Sequence, residues 1–359
     1  MMDGAIMAIT PRGRKLALRL GKKLKFPVFL PEKLCQAGDE AEAFTVLKET
    51  LPALFQEKKQ LVLIMATGIA VRILAPHLQG KSNDPAVVVV DDGGLFAISL
   101  LSGHLGGANM LARRVAECLG AVPVITTATD VAGLRAVDAL AYDFNLKPEP
   151  VEKIKEFNAA MLKGETIFLY TDWPESVFGK PAGIAIKPLF NLTWQKAKKY
   201  RAVLTHNLNL PGLVGNELML RPKNLFVGIG CRRGVTAAQI IGALETVFNG
   251  HNLALGSIAK LASIEEKKTE AGLLEAAQKL KVPLCLFPAA ELREVKYSYE
   301  KSEFVEKTMG VGSVCVPAAI LAARSSKVLV PKQKLKQITI AVVEDESPWL
   351  ALDPGIRLT

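Results

Sequence analysis

The stretch Ala86-Val-Val-Val-Val-Asp91-Asp92-Gly93-Gly94-Leu-Phe-Ala-Ile-Ser99-Leu-Leu101 decides the fold. Its continuous apolar run reads as a strand buried on both faces, and such strands belong to sheets covered by helices. Asp91 to Gly94 make a turn in which Gly93 and Gly94 tolerate positive φ, so the second apolar run returns as the other arm of a hairpin. Directly after it comes Ser102-Gly103-His104-Leu-Gly106-Gly107-Ala-Asn109. Ala108, Leu111, Ala112, Val115, Ala116 and Leu119 then recur at helical spacing. The spacing predicts a helix opening near Ser102 or Gly103, where free backbone N–H groups lie beside a hydroxyl and an imidazole.

Outward from this stretch the same grammar repeats. A strand over Ala5 to Thr10 precedes Pro11 and a basic amphipathic helix from Arg12 to Lys23, with Thr10 as cap and Pro11 in the first turn. Lys25 to Leu30 reads as a strand, Ala41 to Phe55 as a helix, Leu61 to Thr67 as a buried strand, and Ile69 to His77 as a helix. Val122 to Asp130 is a further strand with a hydroxyl-rich exit. After Asp130 the composition shifts to a helix over Glu149 to Lys163 and short strands punctuated by prolines, which reads as a small middle domain or connector. From Arg221 a second strand, glycine turn and helix pattern begins. The expected fold is α/β, with two larger mainly parallel-sheet α/β domains joined by a small middle region. The boundaries are an N-terminal domain over 1–135, a middle connector over 136–220, a C-terminal domain over 221–345 and a tail over 346–359.

Composition removes several classes of function. No apolar run reaches the ~18–20 residues of a membrane span, and the start lacks a secretory h-region with a small-residue cleavage site, so the expected location is cytoplasmic. The 5 cysteines are dispersed with no C-x-x-C pair and lie in or beside apolar runs, which indicates buried thiols and not a disulfide frame or zinc site. With only 4 histidines no multi-histidine metal centre is expected. A net charge of +10 suits a polyanionic small molecule or nucleic acid. The basic residues are scattered with few aromatics among them, which favours the small molecule.

His104 is the first candidate catalytic residue, with Ser102 adjacent and Asp91 across the hairpin in sequence to orient the imidazole. A histidine that merely caps the helix start is the alternative, and nothing resembles the elbow of a serine-hydrolase triad. Gly103, Gly106, Gly107 and Asn109 would let a ligand approach the backbone, and Thr127 and Asp130 stand at a strand exit, where ligands collect in open α/β sheets. Gly228-Ile-Gly230-Cys-Arg232-Arg233-Gly234 misses the dinucleotide fingerprint by one position, yet brings two arginines to a helix start that suits carboxylates or phosphates. Gly310-Val-Gly312-Ser313 is a similar turn that offers backbone N–H groups to carboxylates or packs a helix closely on its sheet.

Gly68-Ile-Ala-Val-Arg72, Asp84-Pro-Ala-Val-Val-Val-Val-Asp91, Ser102-Gly-His104-Leu-Gly-Gly-Ala-Asn109 and Pro123-Val-Ile-Thr-Thr-Ala-Thr-Asp130 together resemble the N-terminal part of the cobalt-precorrin-5A hydrolase family. Val227-Gly-Ile-Gly-Cys-Arg-Arg-Gly234, Gly310-Val-Gly-Ser-Val-Cys315 and Val330-Pro-Lys332 resemble its C-terminal domain. The resemblance implies a step of anaerobic cobalamin biosynthesis in which a δ-lactone on the macrocycle is opened and the two-carbon unit carrying C20 leaves as acetaldehyde. It implies His104 as the base, N–H groups around Leu105 to Gly107 as oxyanion donors, and Gly68 and Arg72 among the substrate contacts. No protein cofactor is implied, because cobalt arrives inside the substrate. The implied partners are that cobalt-bearing tetrapyrrole and the methyltransferases of neighbouring steps, with neither nucleic acid nor membrane. A noncatalytic tetrapyrrole carrier is the alternative function.

Overall fold

The computed structural model describes residues 3–80, 83–193, 198–296 and 313–345. The chain divides into two compact units. The first comprises the chain up to Tyr142 together with Lys155–Glu165 and Pro181–Gly183; the second holds the remainder.

The first unit is built on a seven-stranded sheet. Its strands are β1 (Gly4–Ala8), β2 (Val28–Pro31), β3 (Glu42–Phe44), β4 (Gln60–Ile64), β5 (Ala86–Val90), β6 (Phe96–Leu101) and β7 (Val122–Val124), in spatial order β3-β2-β1-β4-β5-β6-β7. The first five are parallel; β6 pairs antiparallel with β5, and β7 follows β6 in parallel. The unbroken valine run of β5 has a physical cause. Val88 and Val90 pack under α1 (Pro11–Leu24) and α4 (Ala108–Leu119), while Val87 and Val89 pack on the opposite face against α2 (Leu47–Glu57) and α3 (Thr67–Leu74). Because side chains alternate between faces, a strand covered on both sides has no polar positions to spare. Thr10 caps α1, its side chain accepting from the Gly13 N–H at 2.9 Å, and Pro11 opens the first turn as expected.

Three local expectations are corrected. Residues 41–55 are not one helix: β3 adds an edge strand beside β2, and α2 starts only at Leu47. Glu149 is not helical but ends β8 (Leu146–Glu149), and α7 (Lys153–Leu162) begins beyond Pro150. A residue before proline is steered away from helical ψ. Of the hairpin glycines, Gly94 alone takes positive φ, at 70°.

The second unit contains two five-stranded sheets. One, in the middle region, joins β8 to β9 (Ile167–Thr171), β10 (Ile184–Pro188), β11 (Arg201–Leu204) and β12 (Leu218–Pro222) in the order β10-β9-β11-β12-β8. All of its pairings are parallel except that of β12 with β8. The middle region therefore owns a sheet and a core around Tyr170, Leu192 and Val203, rather than serving as an extended connector. The other sheet has the order β15-β14-β13-β17-β16, from β13 (Leu225–Cys231), β14 (Ile258–Ile264), β15 (Leu284–Phe287), β16 (Val328–Leu335) and β17 (Ile338–Glu344). One face packs on α9 (Ala237–Gly250) and α10 (Ala271–Leu280). The other carries α12 (Cys315–Ala323), which lies so close to β13 that a Cβ on Gly228 would sit 1.7 Å from the Cys315 carbonyl oxygen.

Candidate active site

β6 ends at Leu101, and the chain reverses through residues 102–107 before α4 begins at Ala108. The helix thus starts later than its spacing suggests, because the loop itself supplies partners for its first N–H groups. Gly107 N–H donates to the His104 carbonyl at 2.9 Å, Ala108 N–H to that of Ser102 at 3.1 Å and Asn109 N–H to that of Gly103 at 2.9 Å. The Gly107 N–H expected to stabilise an oxyanion is therefore already engaged. Gly107 has φ 85°, and a Cβ there would lie 2.1 Å from the Tyr142 ring. A Cβ on Gly106 would meet Ser102, and one on Gly103 would meet Asn109. These glycines let the chain pack on itself, and the space they leave is filled by protein.

The packed loop presents His104 to two carboxylates. Nε2 lies 2.8 Å from Asp130 Oδ2, and Nδ1 lies 3.1 Å from Asp138 Oδ2. Asp130 sits on α5 (Ala128–Val131), the short helix after β7, and Asp138 in the first turn of α6 (Val137–Asp143). Asp130 Oδ2 also accepts from Thr127 Oγ1 at 2.6 Å and Asn109 Nδ2 at 3.1 Å, and its Oδ1 accepts from Arg113 at 3.3 Å. Asn109 Oδ1 in turn accepts from Ser99 Oγ at 2.7 Å. Asp138 Oδ1 accepts from Asn158 Nδ2 at 2.8 Å, and Asn158 Oδ1 accepts the Val137 N–H at 3.0 Å. Exposure grades along the chain of groups: the side chains of Asp138 and His104 are 13% and 11% exposed, Asp130 24% and Arg113 55%.

The charges explain the titration of the pair. Burial alone would push the His104 pKa down, but hydrogen bonds and charges from Asp138 and then Asp130 outweigh it and hold the ring above the ordinary histidine value. Burial would raise Asp130; its hydrogen bonds from Thr127 and His104, with the positive charge of His104 and Arg113, hold it below the usual carboxylate range.

Of the expected site residues in this unit, the structure unites His104, Asn109, Thr127 and Asp130. It separates Asp91. The register pairs Val90 with Ala97 and Val87 with Leu101, so His104 returns to the start of β5 while Asp91 stays at its end. The strand length between them is roughly 17 Å. Asp91 instead caps its own turn, accepting the N–H groups of Gly93 at 2.9 Å, Leu95 at 2.8 Å and Phe96 at 2.6 Å. Gly68 and Arg72, on α3 after β4, lie at that same far edge, where Arg72 is exposed and reaches the Gly68 carbonyl at 3.4 Å. Ser102 Oγ is turned away as well, donating to the Asp84 carbonyl at 2.9 Å.

In the second unit, Gly228 and Gly230 lie inside β13 and not in a loop; Gly228 admits α12, and a Cβ on Gly230 would meet Thr339. Arg232 and Arg233 are exposed in the loop before α9. The anion that this loop holds is the chain's own Glu270, which accepts the Gly234 N–H at 2.8 Å and pairs with Lys267 at 3.0 Å. The α9 terminus is closed by a capping box of Thr236 and Gln239. Ser313 is buried with its Oγ 3.8 Å from Cys315 Sγ, and Gly312 lies outside the described residues.

Asp138 and Asn158 are the site residues that sequence reasoning missed. Asn158 carried a signal: it falls on the apolar stripe of Ile154, Phe157 and Met161 along α7, where a polar side chain needs a partner. Among the described residues no group of three or more His, Cys, Asp or Glu side chains is placed to hold a metal ion.

A helix-covered sheet here holds a histidine between two carboxylates, with an arginine opening to solvent beside them, an arrangement in which a proton can pass between ring and carboxylate in an α/β protein. Aligned along nearly its whole length with relatives that carry this name, the chain belongs to the cobalt-precorrin-5A hydrolase family. Residues 49–130 match the family model for the cobalamin synthesis G N-terminal region, 135–197 that for the cobalamin biosynthesis central region, and 225–343 that for the cobalamin synthesis G C-terminus. A cobalt-precorrin-5A hydrolase of Priestia megaterium is 34% identical over 354 residues, spanning 95% of this chain and 94% of its own. One of Salmonella typhimurium is 37% identical over 330 residues, spanning 89% and 92%.

Proposed function

We propose that the chain hydrolyses the δ-lactone of cobalt-precorrin-5A and releases C20 with its methyl group as acetaldehyde, giving cobalt-precorrin-5B. The observation that carries this function is the continuity of the match, since relatives named for this activity align along nearly the whole chain. Cobalt belongs to the substrate.

Lactone opening needs two proton movements: water loses a proton as it attacks the carbonyl carbon, and the ring oxygen gains one as its bond breaks. His104 and Asp130, joined at 2.8 Å, are the pair across which these protons pass. The hydroxyl freed on the two-carbon unit then loses its proton as its C–O bond becomes the aldehyde C=O. The bond to the macrocycle breaks, and its electron pair passes to the ring carbon, which takes up a proton. The net reaction is hydrolysis at a carbon–carbon bond. Arg113, half exposed beside Asp130, offers its remaining donors to an acetate or propionate of the macrocycle.

The test is to incubate the purified protein with cobalt-precorrin-5A and follow acetaldehyde and the mass of the corrinoid. Release of aldehyde with the matching mass loss is expected; tight binding of an unchanged substrate would instead identify a carrier.

A further inference from the structure

A neutral imidazole carries one N–H and one lone pair, and an ionised carboxylate only accepts. In this site each ring nitrogen of His104 faces a carboxylate oxygen, Nε2 that of Asp130 at 2.8 Å and Nδ1 that of Asp138 at 3.1 Å. With both acids ionised, a neutral ring would press its lone pair against one of them, so both contacts then call for a ring protonated on both nitrogens; the hydroxyl of Thr129 lies farther from Nε2, at 3.5 Å. The two acids are not equivalent. Asp130 is shared among His104, Thr127, Asn109 and Arg113, whereas the bonds of Asp138 go to the ring and to Asn158. Asn158 is itself fixed by accepting the Val137 N–H at the start of α6, so the Asp138 carboxylate is aimed by contacts that do not involve the ring.

We propose that Asp138, aimed by Asn158, is a positioning residue that keeps His104 as an imidazolium, so that His104 is the proton donor of the lactone opening and Asp130 its base. This rests on the hydrolase function proposed above. The protons balance around the pair. Asp130 takes a proton from the attacking water, whose oxygen bonds to the carbonyl carbon. Nε2–H passes its proton to the ring oxygen as the C–O bond breaks and that oxygen keeps the electron pair. The proton on Asp130 then moves across the short contact to Nε2, which restores both groups.

The charged groups that face the ring are Asp130 from α5 and Asp138 from α6, with Arg113 of α4 on Asp130; Arg135, between α5 and α6, feels both Asp130 and Arg113. The two carboxylates raise the ring, so turnover should fall as pH rises through the elevated histidine value, and fall again as pH drops through the depressed value of Asp130.

The experiment uses the full chain with 15N-labelled histidine. In the wild type at pH 7.5 and without substrate, the two His104 ring nitrogens should give the paired shifts of an imidazolium. Asp138→Asn keeps the side-chain shape and removes the charge. It should convert the ring to a single neutral tautomer at that pH, lower kcat about 10- to 100-fold with KM unchanged, and move the alkaline limb to lower pH; this sits below the ~10²–10⁴ of a positioned proton-transfer group itself. Asn158→Ala should move the same signals part of the way. A wild-type ring protonated on one nitrogen overturns the proposal even if no variant folds, as does Asp138→Asn with an unshifted pH profile. An imidazolium in a protein that releases no acetaldehyde would count against the hydrolase function and leave the pairing standing.

Discussion

The segments 102–107 and 228–234 are written in the same grammar, a strand, clustered glycines and a helix, yet the first folds as a loop while the second keeps Gly228 and Gly230 within β13, and they hold opposite contents. The first brings His104 to carboxylates from two later segments and keeps an exposed arginine alongside. The second satisfies its own anion need with Glu270, closes its helix with Thr236 and Gln239, and uses Gly228 to seat α12. Local sequence pattern makes a place where an anion or imidazole can be held. Which group occupies it is decided by what the rest of the chain folds against it.

The largest expected difference comes from removing the carboxylate that each segment is packed against, Asp130 of α5 for the first and Glu270 before α10 for the second. Asp130→Asn should lower turnover by ~10²–10⁴, the range for a positioned acid or base. Glu270→Gln should leave turnover unchanged while lowering stability at neutral pH; kinetics and urea unfolding on both variants check it. Equal kinetic losses would mean that the second loop also meets the substrate.

The backbone of the two segments differs as well, with a smaller expected effect. Gly107 and Gly234 both adopt left-handed φ, at 85° and 79°, but a Cβ at 107 runs into Tyr142 whereas at 234 it meets open space. Gly107→Ala should therefore cost about 2–5 kcal/mol, combining ~1–2 for the left-handed alanine with ~1–3 for overpacking. Gly234→Ala should cost only about 1–2 kcal/mol. Denaturant midpoints that fall together would show the 102–107 loop to be looser than its contacts imply.

Much of this was legible in the residues. The two-faced valine run, the hairpin and the capped first helix follow from local pattern, and Thr127 and Asp130 stand out by their place at a strand exit, but that they meet His104 does not follow from the sequence, which pointed to Asp91 instead. The antiparallel hairpin, once read, already excluded Asp91, since a chain that turns at Gly93-Gly94 must carry His104 back to the other end of β5. Asp138 was beyond reach for a different reason, and Asn158, marked by its place on the α7 stripe as needing a partner, gave no sign of which. They come from α6 and α7, and nothing local tells which way those helices face. The middle sheet stayed hidden likewise, because its short strands pair in parallel across long separations.

The most direct test of the account compares acetaldehyde release from cobalt-precorrin-5A by the wild type and by His104→Ala, with circular dichroism confirming that both are folded. Release by the wild type and a loss of ~10²–10⁴ in the variant are expected. Wild-type rates from a folded His104→Ala protein would contradict this and make the histidine a structural tie between α5 and α6.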